Sequence, residues 1–218
     1  MKISNEGRAI VYGASGHGKV VADILQACGT EIEGFVDDDP LKSREMFGLK
    51  ILGDAKYLIE RAGRGRVAVA LGIGDNFDRR LVAERCIAAN VRLLIAVHPS
   101  ATVAASAKIA PGVVIMAHAV VNVDAVIQLG AIINTGAIVE HDCKVGKFAH
   151  LSPKVAIGGH AQIGDLSWLG IGVAVIPKVQ VGTGSIVGAG ATVVTDVEDW
   201  VVAIGTPARV LRKLELRL

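Results

Sequence analysis

Between Val103 and Val193 an aliphatic residue recurs at every sixth position, sixteen times without a break. Two places before each of them stands Ala, Val, Ser or Cys, from Ala101 to Ala191. With 51% of the chain hydrophobic, such a register has a chance probability on the order of one in 10⁵, before the small residues are counted. A period of six matches neither the 3.6-residue helix nor the two-residue alternation of a strand. It matches a hexapeptide β-helix, in which each sextet supplies a short strand and a turn, and three sextets close a triangular coil. The aliphatic residue then points into the prism, and the small one points in near a corner. About five coils would stack on one another and bury a continuous apolar column. Their outward turn positions are left free for chemistry. Gly146, Gly158, Gly164, Gly170, Gly182 and Gly188 directly follow their aliphatic residues, and each is expected to form a tight corner of unusual φ.

The segment before the repeat has a different pattern. Residues 8–12 (RAIVY) predict a buried strand, GASGHG (13–18) a glycine turn, KVVADILQAC a helix, and IEGFV a second strand ending on Asp37, Asp38 and Asp39. Strand, turn, helix and strand make a mononucleotide-binding βαβ unit, whose helix N-terminus and loop amides suit a phosphate. The spacing is G-x-x-G-x-G and misses the dinucleotide fingerprint; a plain tight turn is the alternative reading. Another strand is predicted over 66–74, a helix from Phe77 to about Asn90, and a strand over 91–97. Ligands sit at the carboxyl ends of parallel strands, which gathers Ser15 to Gly18, Asp37 to Asp39, and Asp75 with Asn76 around one crevice. The expected architecture is therefore an α/β domain with a mainly parallel sheet over residues 1–97, then the β-helix over 98–218, with His98-Pro99 at the joint. After Val193 the repeat decays. Pro207 bars its simple continuation, and the cationic tail is predicted to be a helix capping the open end of the prism.

Composition narrows the function. Only 4% of the residues are aromatic and the net charge is +2, so neither a nucleic-acid nor a membrane surface is indicated. The lead MKISNEG is too polar for a signal peptide, and no apolar run approaches membrane-spanning length. Cys28, Cys86 and Cys143 are odd in number and widely spaced. They point to reduced thiols in the cytoplasm, against a disulfide or zinc framework.

Among the histidines, His141 stands out. It falls on an outward turn of its sextet, with Asp142 beside it. An imidazole exchanges a proton near neutral pH, and an adjacent carboxylate fixes its tautomer, as a general base requires. Cys143 occupies the small inward column and is expected to be inert core. His17 could reach a phosphate or sugar, or simply lie on a surface loop. His98 is expected to be structural, and His118 and His160 mostly solvated. No close His-x4-His pair exists among 118, 141, 150 and 160, so no metal is expected.

The segments GASGHGKVVADIL, FVDDD, GIGDNFDRR, NTGAIVEHDCKVG, HLSPKVAIGG, VGAGATVV and AIGTPAR, in this order, resemble one family: the nucleotide-sugar acyltransferases of the left-handed β-helix superfamily. Sialic acid O-acetyltransferases and bacterial 4-amino-sugar N-acetyltransferases typify it. The resemblance spans nearly the whole chain and implies left-handed coils, homotrimers with acyl sites between neighbouring prisms, and acetyl-CoA as co-substrate. It implies His141 as general base, Asp142 as its orienting acid, and the Gly159 N–H as oxyanion donor. Ser15, Gly16, His17, Asp37, Asp38, Asp75 and Asn76 would bind the nucleotide sugar. His150, Gly159, Ile171, Gly172 and Ala189 would line the acetyl-CoA groove, although relatives carry Gly where Ala189 stands. The acceptor implied is the 4-amino group of a nucleotide-linked dideoxy sugar, foremost GDP-perosamine. A UDP-linked amino sugar, O-acetylation of a sialic acid, and a non-catalytic nucleotide-sugar-binding protein are the rival readings. A pyridine-nucleotide oxidoreductase is disfavoured by the glycine spacing.

Overall fold

The computed structural model describes residues 8–39, 41, 44–63 and 67–215. The polar lead at 1–7, the first residue of the strand expected at 66 and the end of the tail at 216–218 lie outside them. The chain forms two compact units, residues 1–99 and 100–218.

The first unit contains β1 (Ala9–Tyr12), α1 (Gly16–Ala27), β2 (Ile32–Val36), β3 (Glu45–Met46), β4 (Leu49–Gly53), α2 (Ala55–Gly63), β5 (Ala68–Leu71), α3 (Asn76–Ala88) and β6 (Arg92–Leu93). The sheet order is β3-β4-β2-β1-β5-β6, parallel except for the β3/β4 hairpin. β1 and β5 are buried throughout, as strands covered on both faces must be. The connection from β1 through α1 places β2 on one side of β1, and the connection from β4 through α2 places β5 on the other, so a crevice opens at the carboxyl ends of these strands. The strand expected over 91–97 breaks in two, β6 and β7 (Ala96–Val97). The glycine turn is a packing device as much as a binding one. Gly13 takes φ +111°, and a Cβ there would lie 2.7 Å from Gly72 O, while one on Gly18 would strike Gly13 O. A Cβ on Gly16 would meet nothing within 4 Å. Two glycines let α1 approach the loops; the third faces open space.

In the second unit sixteen two-residue strands run from β8 (Thr102–Val103) to β23 (Thr192–Val193). Each strand from β8 to β20 pairs in parallel with the strand one coil on, as Val120↔Ile138 and Val126↔Lys144 illustrate, so a coil is 18 residues. Three faces result. From Ile115 to Val193 every aliphatic of the sixfold column is buried; the first coil, stacked on one side only, leaves Val103 and Ile109 half-covered.

The corners are built differently from the expectation. Positive φ falls three residues after the aliphatic, at 112, 118, 124 and so on to 190, and most of these residues are not glycine: His118, Asp124, Asp142, Phe148, Lys154, His160, Leu166 and Lys178. Left-handed backbone costs such a residue about 1 to 2 kcal/mol. The corner amide offsets it by bonding a carbonyl of the preceding coil, as in Asp142 N–H to Val123 O (3.1 Å) and His160 N–H to His141 O (3.0 Å). The glycines directly after the aliphatics serve close approach between coils instead: a Cβ on Gly164 would lie 2.5 Å from Thr183 N, and one on Gly146 2.6 Å from Asp165 N.

The tail is a strand, not a helix. β24 (Val201–Ile204) adds in parallel to Ile186–Val187, and β25 (Arg209–Lys213) returns antiparallel along it. The unpaired edge of β24 offers more hydrogen bonds than an isolated five-residue helix could form, which overrides the helical propensity of Leu, Arg and Lys.

Candidate functional site

The corner following the face that contains β14 (Ile138–Val139) holds the dyad. His141 Nδ1 lies 2.8 Å from Asp142 Oδ2, and both side chains are about half exposed. A carboxylate accepts only, so the ring carries its proton on Nδ1 and leaves the Nε2 lone pair free. One coil on stands Gly159, where no Cβ fits while the ring keeps this position: it would sit 2.6 Å from both Cε1 and Nε2 of His141. The N–H of Gly159 has no acceptor among the described residues. At equivalent corners the corresponding amide is taken by a side chain, Asn134 Oδ1 for Thr135 and Asp165 Oδ1 for Lys147.

His160 belongs to this corner as well. Its Nε2 is 3.7 Å from Asp142 Oδ2, and its ring meets that of His141 edge-on at 5.2 Å. Reading it as merely solvated missed this, although 160 is one 18-residue coil after 142. Cys143, next in sequence, is buried with its thiol donating to Gly158 O (3.1 Å); burial raises its pKa to about 11. No thiolate nucleophile is offered.

Ile171, Gly172 and Ala189 lie on the other edge of the dyad's face and are exposed. Between the two edges the outward residues Ala156 and Ala174 are small. His150 lies on a different face, beyond that edge. It is only 8% exposed, stacks on Trp168 at 6.0 Å and has Nε2 3.0 Å from Asn134 Nδ2; Trp168 in turn donates to Ser152 Oγ at 2.9 Å. These neighbours also sit at 18-residue and near-18-residue spacings.

In the first unit a cavity of about 350 Å³ opens at the carboxyl ends of β1, β2 and β5, lined among others by Tyr12, Ser15, Asp37, Asp38, Gly74 and Arg85. Gly16 and His17 begin α1 beside it. Ser15 makes no side-chain cap to α1, whereas Asp75 caps α3 by accepting from Phe77 N and Asp78 N. The α1 N-terminus is therefore the one left open to an anion. Asp37 accepts from Ala14 N at 2.6 Å and holds the glycine turn. Asp38 accepts from Tyr12 Oη, Arg85 Nη1 and Ala55 N. Burial, reinforced by that carboxylate, pushes the Tyr12 phenol up and keeps it protonated.

Asp75 and Asn76 are not among the residues lining the cavity. Asn76 is buried and accepts from the fully buried Arg79, which also donates to the carbonyls of Ile73, Gly74 and Asp75. Burial lowers Arg79 to about 9. It also lowers His17 to about 4, with the charge of Arg79 adding to the effect. Tyr12 and Arg85 escaped the sequence reading. Asp78, Leu81, Val82 and Arg85 recur at helical spacing on one face of α3, a signal that could have found the latter.

A hexapeptide prism carrying an exposed His–Asp dyad, preceded by a βαβ unit with an open anion-binding turn, defines a nucleotide-sugar acyltransferase of the left-handed β-helix class. The PglD N-terminal domain family matches residues 8–86. The H141N mutant of perosamine N-acetyltransferase from Caulobacter crescentus, solved in complex with CoA and GDP-perosamine, is 39% identical, with a TM-score of 0.92 over 95% of this chain and 98% of that one. The acetyltransferase domain of PglB from Neisseria gonorrhoeae FA1090, solved with acetyl coenzyme A, is 36% identical, with a TM-score of 0.88 over 94% and 98%. WeeI from Acinetobacter baumannii AYE shares the fold, with a TM-score of 0.81 at 24% identity over 94% and 99%. The chain belongs to the hexapeptide-repeat family of acetyl-CoA-dependent sugar N-acetyltransferases. No helix among the described residues is long and apolar enough to cross a membrane.

Proposed function

We propose that the enzyme transfers the acetyl group of acetyl-CoA to the 4-amino group of GDP-perosamine, in the cytoplasm, on the route to an O-antigen sugar of lipopolysaccharide. The observation that carries this reading is the dyad: among the described residues, His141 Nε2 and the nearby Gly159 N–H have no hydrogen-bond partner. It is supported by a relative, 39% identical, that was captured with CoA and GDP-perosamine after replacement of a histidine also numbered 141. The open turn at Ser15, Gly16 and His17 takes the diphosphate. Asp37 and Asp38 border the space for ribose and base. Asp75 and Asn76 act indirectly, by shaping the loop. Acetyl-CoA lies along the face between Gly159 and the Ile171–Gly172–Ala189 edge. A second prism closes that groove in a homotrimer and supplies its His150.

In the reaction the amine nitrogen attacks the thioester carbonyl while His141 Nε2 takes its proton. The Gly159 N–H binds the oxyanion, a contribution of about 3 kcal/mol. As the C–S bond breaks, the imidazolium returns the proton to the CoA sulfur. With Cys143 buried, transfer is direct and no acyl-enzyme forms. Thiol release should be followed with GDP- and UDP-linked 4-amino sugars and with hydroxyl acceptors. GDP-perosamine should give the highest kcat/KM, and His141→Asn should lower kcat by about 10² to 10⁴. Unchanged turnover in that variant would refute the assignment; faster acetylation of a hydroxyl would favour the O-acetyltransferase alternative.

A further inference from the structure

The corner that carries the dyad holds one side chain more than the reaction uses. His160 occupies the same left-handed corner position as Asp142, one coil on (φ +62° and +57°). Stacking therefore puts two imidazoles and a carboxylate on a single edge, with one N or O atom from each within 4.8 Å of the others. Two of the separations are 2.8 Å, His141 Nδ1 to Asp142 Oδ2, and 3.7 Å, His160 Nε2 to the same oxygen. We propose that this corner binds a borderline transition-metal ion such as Zn²⁺, and that the bound ion switches the transferase off.

Two imidazoles and a carboxylate form a donor set that zinc accepts, with bonds of about 2.0 to 2.2 Å and a fourth position left to water. Tetrahedral ligand atoms at that radius stand about 3.3 Å apart. The two measured separations bracket this value, so each needs to change by about half an ångström. All three side chains are half exposed and can make that adjustment by small rotations. Magnesium and calcium prefer all-oxygen sites and would not compete.

Inhibition follows from imidazole chemistry. Zinc would replace the proton between Nδ1 and Asp142. A neutral imidazole keeps one N–H, and with Nδ1 bound to metal that proton must sit on Nε2. Nε2 then donates where the reaction needs it to accept. The inhibitory half of the proposal rests on His141 being the base; the binding half does not.

The test begins with the full-length protein free of CoA, whose thiol would compete for metal. Titration with Co²⁺ should develop the visible bands of tetrahedral cobalt at one ion per chain, and Zn²⁺ should bleach them. His160→Asn, which tolerates the left-handed corner, should weaken affinity at least ten-fold, and His160→Cys should restore it with a thiolate charge-transfer band. In rate assays read by chromatography of the acetylated sugar, Zn²⁺ should inhibit and EDTA reverse it. His160→Asn, scored against its own zinc-free rate, should need at least ten-fold more zinc. Equal cobalt affinity in wild type and His160→Asn, or no binding at millimolar cobalt, overturns the site. Tight binding through His160 without inhibition overturns the switch and counts against His141 as base.

Discussion

Gly159→Ala isolates the position of the catalytic ring from the availability of its oxyanion donor. The added methyl would lie 2.6 Å from Cε1 and Nε2 of His141, whereas non-bonded carbon contacts settle at about 3.5 to 4.0 Å. The ring must therefore retreat by about 1 Å. Nothing forbids this sterically, because the imidazole is half exposed and the backbone of residue 159 is not in the left-handed region. Alanine also keeps the N–H. A misplacement of about 1 Å at a reacting group costs on the order of 10²-fold in rate, so kcat should fall about 100-fold. KM for either substrate should change little, and Tm should stay within about 2 °C, since no buried contact is lost. Steady-state kinetics with acetyl-CoA and the nucleotide sugar, paired with calorimetry, give both readouts. A wild-type kcat in a normally folded variant would refute the idea that the glycine exists to seat the ring.

Other expectations follow from the same geometry. Gly164→Ala drives a Cβ to 2.5 Å from the backbone nitrogen of Thr183; two coils must part, and denaturant unfolding should show a loss of about 3 kcal/mol. Arg79→Leu strips donors from the carbonyls of Ile73, Gly74 and Asp75 and from Asn76. It should destabilise the first unit by about 3 to 5 kcal/mol and loosen nucleotide binding in a calorimetric titration. His17, lowered to about 4 in the fold against about 6.5 when unfolded, binds its proton first in the unfolded chain. Stability should therefore fall as pH drops from about 6.5 to about 4, by at most about 3 kcal/mol. Urea midpoints at pH 7 and 5 check this, and His17→Gln should flatten the difference.

The prism was readable because its period is enforced sixteen times by one requirement, a branched aliphatic inside each face. What the period could not convey was why a glycine appears. A glycine that takes positive φ and one that lets a backbone pass look alike in sequence, so Gly146 and Gly164 were assigned the wrong reason. The true corner positions were hidden by Asp142, Phe148 and Lys154, which inter-coil hydrogen bonds hold in a conformation that their own preferences oppose. The β3–β4 hairpin and α2 went unread because they are too short for periodicity. Their local marks are Gly48 in its turn and Asp54, which accepts from Lys56 N at 2.9 Å. At the site, His141 and Asp142 were legible as neighbours in sequence, while His160 became a neighbour only through stacking. Asp75 and Asn76 were placed by loop position and by the resemblance; in the fold Asp75 Oδ1 caps α3 and Asn76 Oδ1 accepts from Arg79.

The 18-residue turn also makes this scaffold a ruler. Inserting one whole turn ahead of Ile138 would lift the dyad by a single inter-strand step, about 4.8 Å, and leave it pointing the same way. Inserting six residues would instead carry it a third of the way around the axis, onto a different side of the column. Viable length changes within the prism should therefore come in complete turns, with the height of the imidazole along the column adjustable only in those discrete increments.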